Sequence, residues 1–70
     1  MDTARISMIH GETHFQIILP VKQLDIYSKL LKNEKEITEK RRWELLNLSQ
    51  DNYKKQNPEE AEKFYPEKME

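Results

Sequence analysis

The 70-residue chain has no cysteine, one glycine, three prolines and no extended apolar run. Without cysteine, neither a disulfide nor a thiolate zinc site can form. No stretch approaches the roughly 18 apolar residues of a membrane span. The opening MDTARIS lacks the basic and apolar regions of a signal peptide, so the expected setting is cytoplasmic, with no membrane contact. Neither charge sign dominates: 12 Lys and Arg stand against 13 Asp and Glu, for a net charge of −1. Residues 1–20 carry −1, residues 21–50 carry +2 and residues 51–70 carry −2. Such a balance creates no strong field toward nucleic acid or an anionic surface. One domain is the most that 70 residues can make, burying only about 60% of the unfolded chain's surface. Small domains usually gain stability from disulfides, a metal or another chain. Here a second copy or a partner protein is the aid left open.

What is present begins with the stretch ISMIHGETHFQII at residues 6–18, built around that one glycine. If Gly11 and Glu12 form a two-residue type II′ turn, the glycine supplies the positive φ required at the first central position. Paired residue numbers then sum to 23, so Ala4, Ile6, Met8, His10, Thr13, Phe15, Ile17 and Leu19 share one face. The other face carries Arg5 with Ile18, Ser7 with Gln16 and Ile9 with His14. A slip of one residue would mix the apolar and polar sets. Turn chemistry and hydrophobic pattern thus agree on one hairpin, and its apolar face needs a cover.

Pro20 suits the start of a helix, and Leu24, Tyr27, Leu30 and Leu31 recur at helical spacing. This predicts a helix over about 20–33. The stretch KNEKE (32–36) is wholly polar, and ITEKRRWELLNLSQ follows. Two readings remain. The lack of glycine or proline between 21 and 57, with a Glu36–Lys40 pair at i,i+4, favours one helix over about 20–50. The narrowing of the apolar face after Leu31 favours a turn near Asn33 and a second helix capped by Thr38. A single long helix would leave Trp43, Leu45, Leu46 and Leu48 beyond the hairpin, which points to a homodimer built along the helices. Residues 51–70 form a polar, acidic tail following the 1–50 domain. Within it, Asn57, Pro58, Glu59 and Glu60 mark the start of a short helix over 58–65, which could press Phe64 and Tyr65 onto the core. The last few residues are expected to fray.

No constellation for catalysis stands out. His10 and His14 fall on opposite faces of the hairpin and cannot share a metal, and Ser7, Ser28 and Ser49 lie outside any nucleophile motif. No enzyme activity, metal or cofactor is expected. Arg41, Arg42 and Trp43 combine basic and aromatic groups in a way that can serve nucleic acid, but Glu36, Glu39 and Glu44 occupy the same turns. The segment THFQIILPVKQLDIYSKLL resembles the ribbon-helix-helix repressors, in which a strand paired across a twofold axis reads the major groove. That resemblance implies a dimeric DNA-binding regulator with Gln16, His14 and Ile18 facing DNA. Three features depart from the pattern: no glycine separates the helices, Arg41 stands where an apolar residue belongs, and a preceding strand occupies one edge.

The expected fold is α+β: an N-terminal hairpin, one long or two shorter helices, and a short C-terminal helix or tail. The expected role is a small non-enzymatic interaction protein, a regulator or inhibitor binding a larger protein stoichiometrically. Candidate contact residues are Trp43, Leu45, Leu46 and Leu48 with Arg41 and Arg42, because Trp and Arg are enriched at hot spots. Ile9 and Ile18 on the outer hairpin face, and an open strand edge, are further candidates.

Overall fold

The computed structural model describes residues 2–66. Its elements are β1 (Thr3–His10), β2 (Thr13–Pro20), α1 (Val21–Lys32), α2 (Glu39–Gln56) and α3 (Pro58–Phe64), an α+β arrangement. The expected fraying concerns residues 67–70, which lie outside the described part.

Gly11 has φ 62, and no other described residue has positive φ. A type I′ turn would need positive φ at Glu12 as well, so the loop is of the II′ kind. The antiparallel ladder runs from Thr3↔Pro20 to His10↔Thr13 in the register expected. Met8 and Leu19 on the inner face are buried, with Ile6 and Ile17 packed beside them. Arg5, Ser7, Ile9, His14, Gln16 and Ile18 on the outer face are exposed.

Helix α1 ends early. Asn33 N–H donates to Leu30 O at 3.2 Å and Glu34 N–H to Leu31 O at 3.1 Å, tightening the last turn. The chain then reverses, and Thr38 caps α2 by accepting from Arg41 N–H at 3.1 Å. There are therefore two helices where a continuous one over 20–50 was the competing reading. The cause is packing. Residues 32–36 offer no apolar side chain to extend the stripe of α1, whereas reversal returns Leu45 and Leu46 to Met8, Leu19 and Tyr27 in one core. Without the long helix, Leu45 and Leu46 do not project beyond the hairpin, the feature from which a dimer along the helices was expected. Near the reversal, Arg41 holds Glu34 through Nε at 2.9 Å and Nη2 at 3.3 Å, and reaches Glu44 at 3.2 Å.

The 1–50 boundary falls inside α2, which continues to Gln56 and buries Tyr53 completely. Helix α3 starts at Pro58, has Glu59 and Glu60 in its first turn, and buries Ala61. It is held by polar contacts as well as apolar ones. Tyr53 OH donates to Glu60 Oε2 at 2.7 Å, and Lys22 Nζ reaches Glu60 Oε1 at 3.4 Å. Tyr65 OH donates to Gln23 Oε1 at 2.5 Å, and the buried Gln23 Nε2 donates to Ser49 Oγ at 3.2 Å. Tyr65 also meets the Tyr53 and Phe64 rings edge-on, at 6.4 and 4.8 Å.

These contacts set an acid response. The hydrogen bond from Tyr53, followed by that from Lys22, holds the Glu60 carboxyl below its ordinary value of 4.5. The hydrogen bond from Arg41 does the same for Glu34. A depressed folded pKa adds stability that is present above the ordinary value and is lost as pH falls through the folded one. The urea midpoint is therefore expected to hold from neutrality down to about pH 5 and to fall below it. The fall should be shallower in the Glu34→Gln/Glu60→Gln double variant. Parallel acid limbs in the two proteins would show that these carboxylates do not govern the response.

Candidate functional site

The structure sorts the candidate residues by depth. Leu45 and Leu46 are only 1% and 7% exposed. They are core residues, and their proposed role in partner contact is corrected accordingly: reversal of the chain at 33–38 turns them onto the hairpin. Leu48 is 43% exposed on α2. Arg41 is half-buried and engaged with Glu34 and Glu44, and Arg42 is exposed.

Trp43 is half-buried and turned toward its own hairpin. Its indole Nε1 donates to Ile9 O at 2.8 Å. Its ring meets those of His10 and Phe15 edge-on, at 6.4 and 6.2 Å. One helical turn earlier, Glu39 Oε1 accepts from Gly11 N–H at 3.0 Å. The first turns of α2 are thus pinned to the β1 side of the hairpin by residues at i and i+4, which lie on one helix face. Trp43→Phe should keep most of the ring packing and lose the indole bond, lowering stability by about 1 kcal/mol. Hydrogen exchange should quicken locally at the tip of β1. An unchanged urea midpoint together with unchanged exchange there would show that the bond contributes nothing.

This pinning creates a concavity of about 270 Å³ on the outer hairpin face, lined by Ser7, Ile9, His14, Glu39 and Arg42. Ile9 is 45% exposed at its rim. The structure brings Ile9 and Arg42 together there. It keeps Ile18, 53% exposed, four cross-strand pairs along the ladder beside Arg5, and Leu48 elsewhere on α2. Ser7 and Glu39 were not singled out as contact residues from sequence, and His14 only as a residue facing DNA under the ribbon-helix-helix resemblance. The hairpin register already grouped Ser7 and His14 with Ile9, but no local signal joins Glu39 to them. A larger groove of about 680 Å³ beside α1 is lined by Lys22, Asp25 and Lys29 among others. Its two cations are paired, Lys29 with Asp25 at 3.1 Å and Lys22 with Glu60 outside the groove.

Among the described residues, no group of three or more His, Cys, Asp or Glu side chains could hold a metal ion, and no helix is long and apolar enough to cross a membrane. Comparisons with protein-family models, curated proteins and solved structures gave no match.

Proposed function

We propose that this chain is a small, non-catalytic interaction protein that binds a larger protein stoichiometrically, as a regulator or inhibitor, through the outer face of its hairpin. The observation that carries this reading is Ile9, an isoleucine exposed at the rim of a concavity whose walls offer a cation, Arg42, and an anion, Glu39. An apolar anchor with polar neighbours suits protein contact. The opposite face of the hairpin is already occupied by the protein's own helices.

The alternative is a dimeric DNA-binding regulator. In its favour, His14, Gln16 and Ile18 do lie on the exposed hairpin face. Against it, Arg41 is tied to two carboxylates.

Affinity capture with the wild-type chain and with Ile9→Asp separates the two readings, followed by reconstitution of any captured protein and measurement of the molar ratio. The interaction reading expects a protein bound at fixed ratio and released by Ile9→Asp, while the variant keeps the wild-type circular dichroism. Identical capture by both chains would overturn it. Retention of DNA that weakens steeply with salt and with Arg42→Glu would support the regulator instead.

A further inference from the structure

The two edges of the hairpin are not alike. Val21 N–H donates to Asp2 O at 3.2 Å, which continues the ladder one pair beyond Thr3↔Pro20. Antiparallel pairs alternate between hydrogen-bonded and non-bonded. The even-numbered residues of β1 therefore face β2 with their main-chain groups, and Thr3, Arg5, Ser7 and Ile9 point theirs outward. The bond from Trp43 to the Ile9 carbonyl agrees with this assignment. On β2 the outward groups belong to the non-bonded partners, His14, Gln16 and Ile18.

The β1 edge is covered at its tip by Trp43 and bears Arg5. Along β2, among the described residues, no hydrogen bond from another element reaches the main chain of His14, Gln16 or Ile18. The usual protections of an edge strand are charges, an interior proline or a bulge. From Thr13 to Leu19 the sequence THFQIIL contains no Asp, Glu, Lys, Arg or Pro, and the ladder is unbroken. Two large apolar residues on this strand also remain exposed, Phe15 at 43% and Ile18 at 53%.

We propose that the free edge of β2 pairs antiparallel with the same edge of a second copy, about a twofold axis at Gln16, to form a four-stranded sheet. This register is self-complementary. Gln16 faces Gln16 of the second copy, and His14 faces Ile18 in both directions. These are the residues whose main-chain groups point outward, so the three pairs exchange about six hydrogen bonds. Phe15 then stands opposite Ile17 of the second copy in a non-bonded pair, where side chains approach most closely and an aromatic–β-branched pair is favourable. No two like charges meet between Thr13 and Leu19. At the ends of the new ladder, Glu12 lies opposite Pro20 of the second copy, two residues from its Lys22. Pairing covers both exposed apolar residues of β2 and leaves the Ile9–Arg42 concavity repeated on one face of the joined sheet. The proposal is independent of any partner for that concavity.

The test uses the full chain. Sedimentation over a micromolar concentration series should give a mass approaching twice 8.5 kDa for the wild type. Gln16→Pro removes only an outward N–H, a position where an edge strand tolerates proline. It should keep the wild-type circular dichroism and weaken dimerisation at least about 10-fold. Because the chain has no cysteine, Gln16→Cys provides a second reading: with oxidised glutathione added as the oxidant it should form a disulfide-linked dimer, and Ser7→Cys, on the other strand, should do so far less. A wild-type monomer at every concentration would overturn the proposal and leave the edge to a strand from another protein. So would a dimer unaffected by Gln16→Pro. If that variant fails to fold, equal oxidation of the two cysteine variants overturns it.

Discussion

Tyr53→Ala is expected to remove about 3–5 kcal/mol of stability, the usual range for truncating a buried aromatic. The whole stability of a 70-residue domain is only about 4–10 kcal/mol, so roughly a third or more of it should be lost. Tyr53 is fully buried. Its ring packs against Tyr65, and its hydroxyl holds Glu60 on the first turn of α3. Truncation opens a cavity and also releases the docking of α3. Tyr53→Phe separates these effects, because it keeps the ring and loses only the hydroxyl. Burial, with help from the Glu60 carboxylate, pushes the Tyr53 hydroxyl up from 10.0 to about 12. A raised folded pKa contributes stability that is complete below the unfolded value and is lost as pH rises through the folded one. The wild type should therefore weaken between about pH 10 and 12, and Tyr53→Phe should lack that portion of the loss. Urea unfolding followed by far-ultraviolet circular dichroism measures both. A loss below about 1 kcal/mol in Tyr53→Ala would contradict the burial described here.

Leu45→Ala and Leu48→Ala, three residues apart on one helix, should behave quite differently. Leu45 packs in the core with Met8, Leu19 and Tyr27, and truncating it should remove about 2–5 kcal/mol. Leu48 is substantially exposed, and its truncation should change stability by no more than about 0.5 kcal/mol. Any loss of partner binding in Leu45→Ala would then follow from unfolding, whereas a loss in Leu48→Ala would report a direct contact. Equal urea midpoints in the two variants would contradict the orientation of α2.

The residues show what sequence could and could not reveal. Thr38 was legible as a cap in one of the two readings because capping is local, a hydroxyl meeting a main-chain N–H three residues away, and the start of α3 was legible from Pro58 and the acids after it, although the Asn57 side chain makes no capping bond. Whether α1 continued past Lys32 was not legible, since no glycine or proline marks the break. Ile9 and Ile18 were correctly placed outside the core by alternation alone. Leu45, Leu46 and Leu48 were grouped as one surface because a leucine cluster on a helix does not disclose which members face inward until the helix has a neighbour.

The sequence by itself determined the hairpin, its register and the division between its two faces. Gly11 permits one turn, and alternation of side chains allows one register to bury Met8 and Leu19 together. Only the tertiary structure decided the reversal at 33–38, the inward turn of Leu45 and the pinning of α2 to the hairpin. The contacts responsible join residues 28 and 34 positions apart, Glu39 to Gly11 and Trp43 to Ile9. They form because a shared core outweighs the closing of long loops, and no local pattern carries that balance.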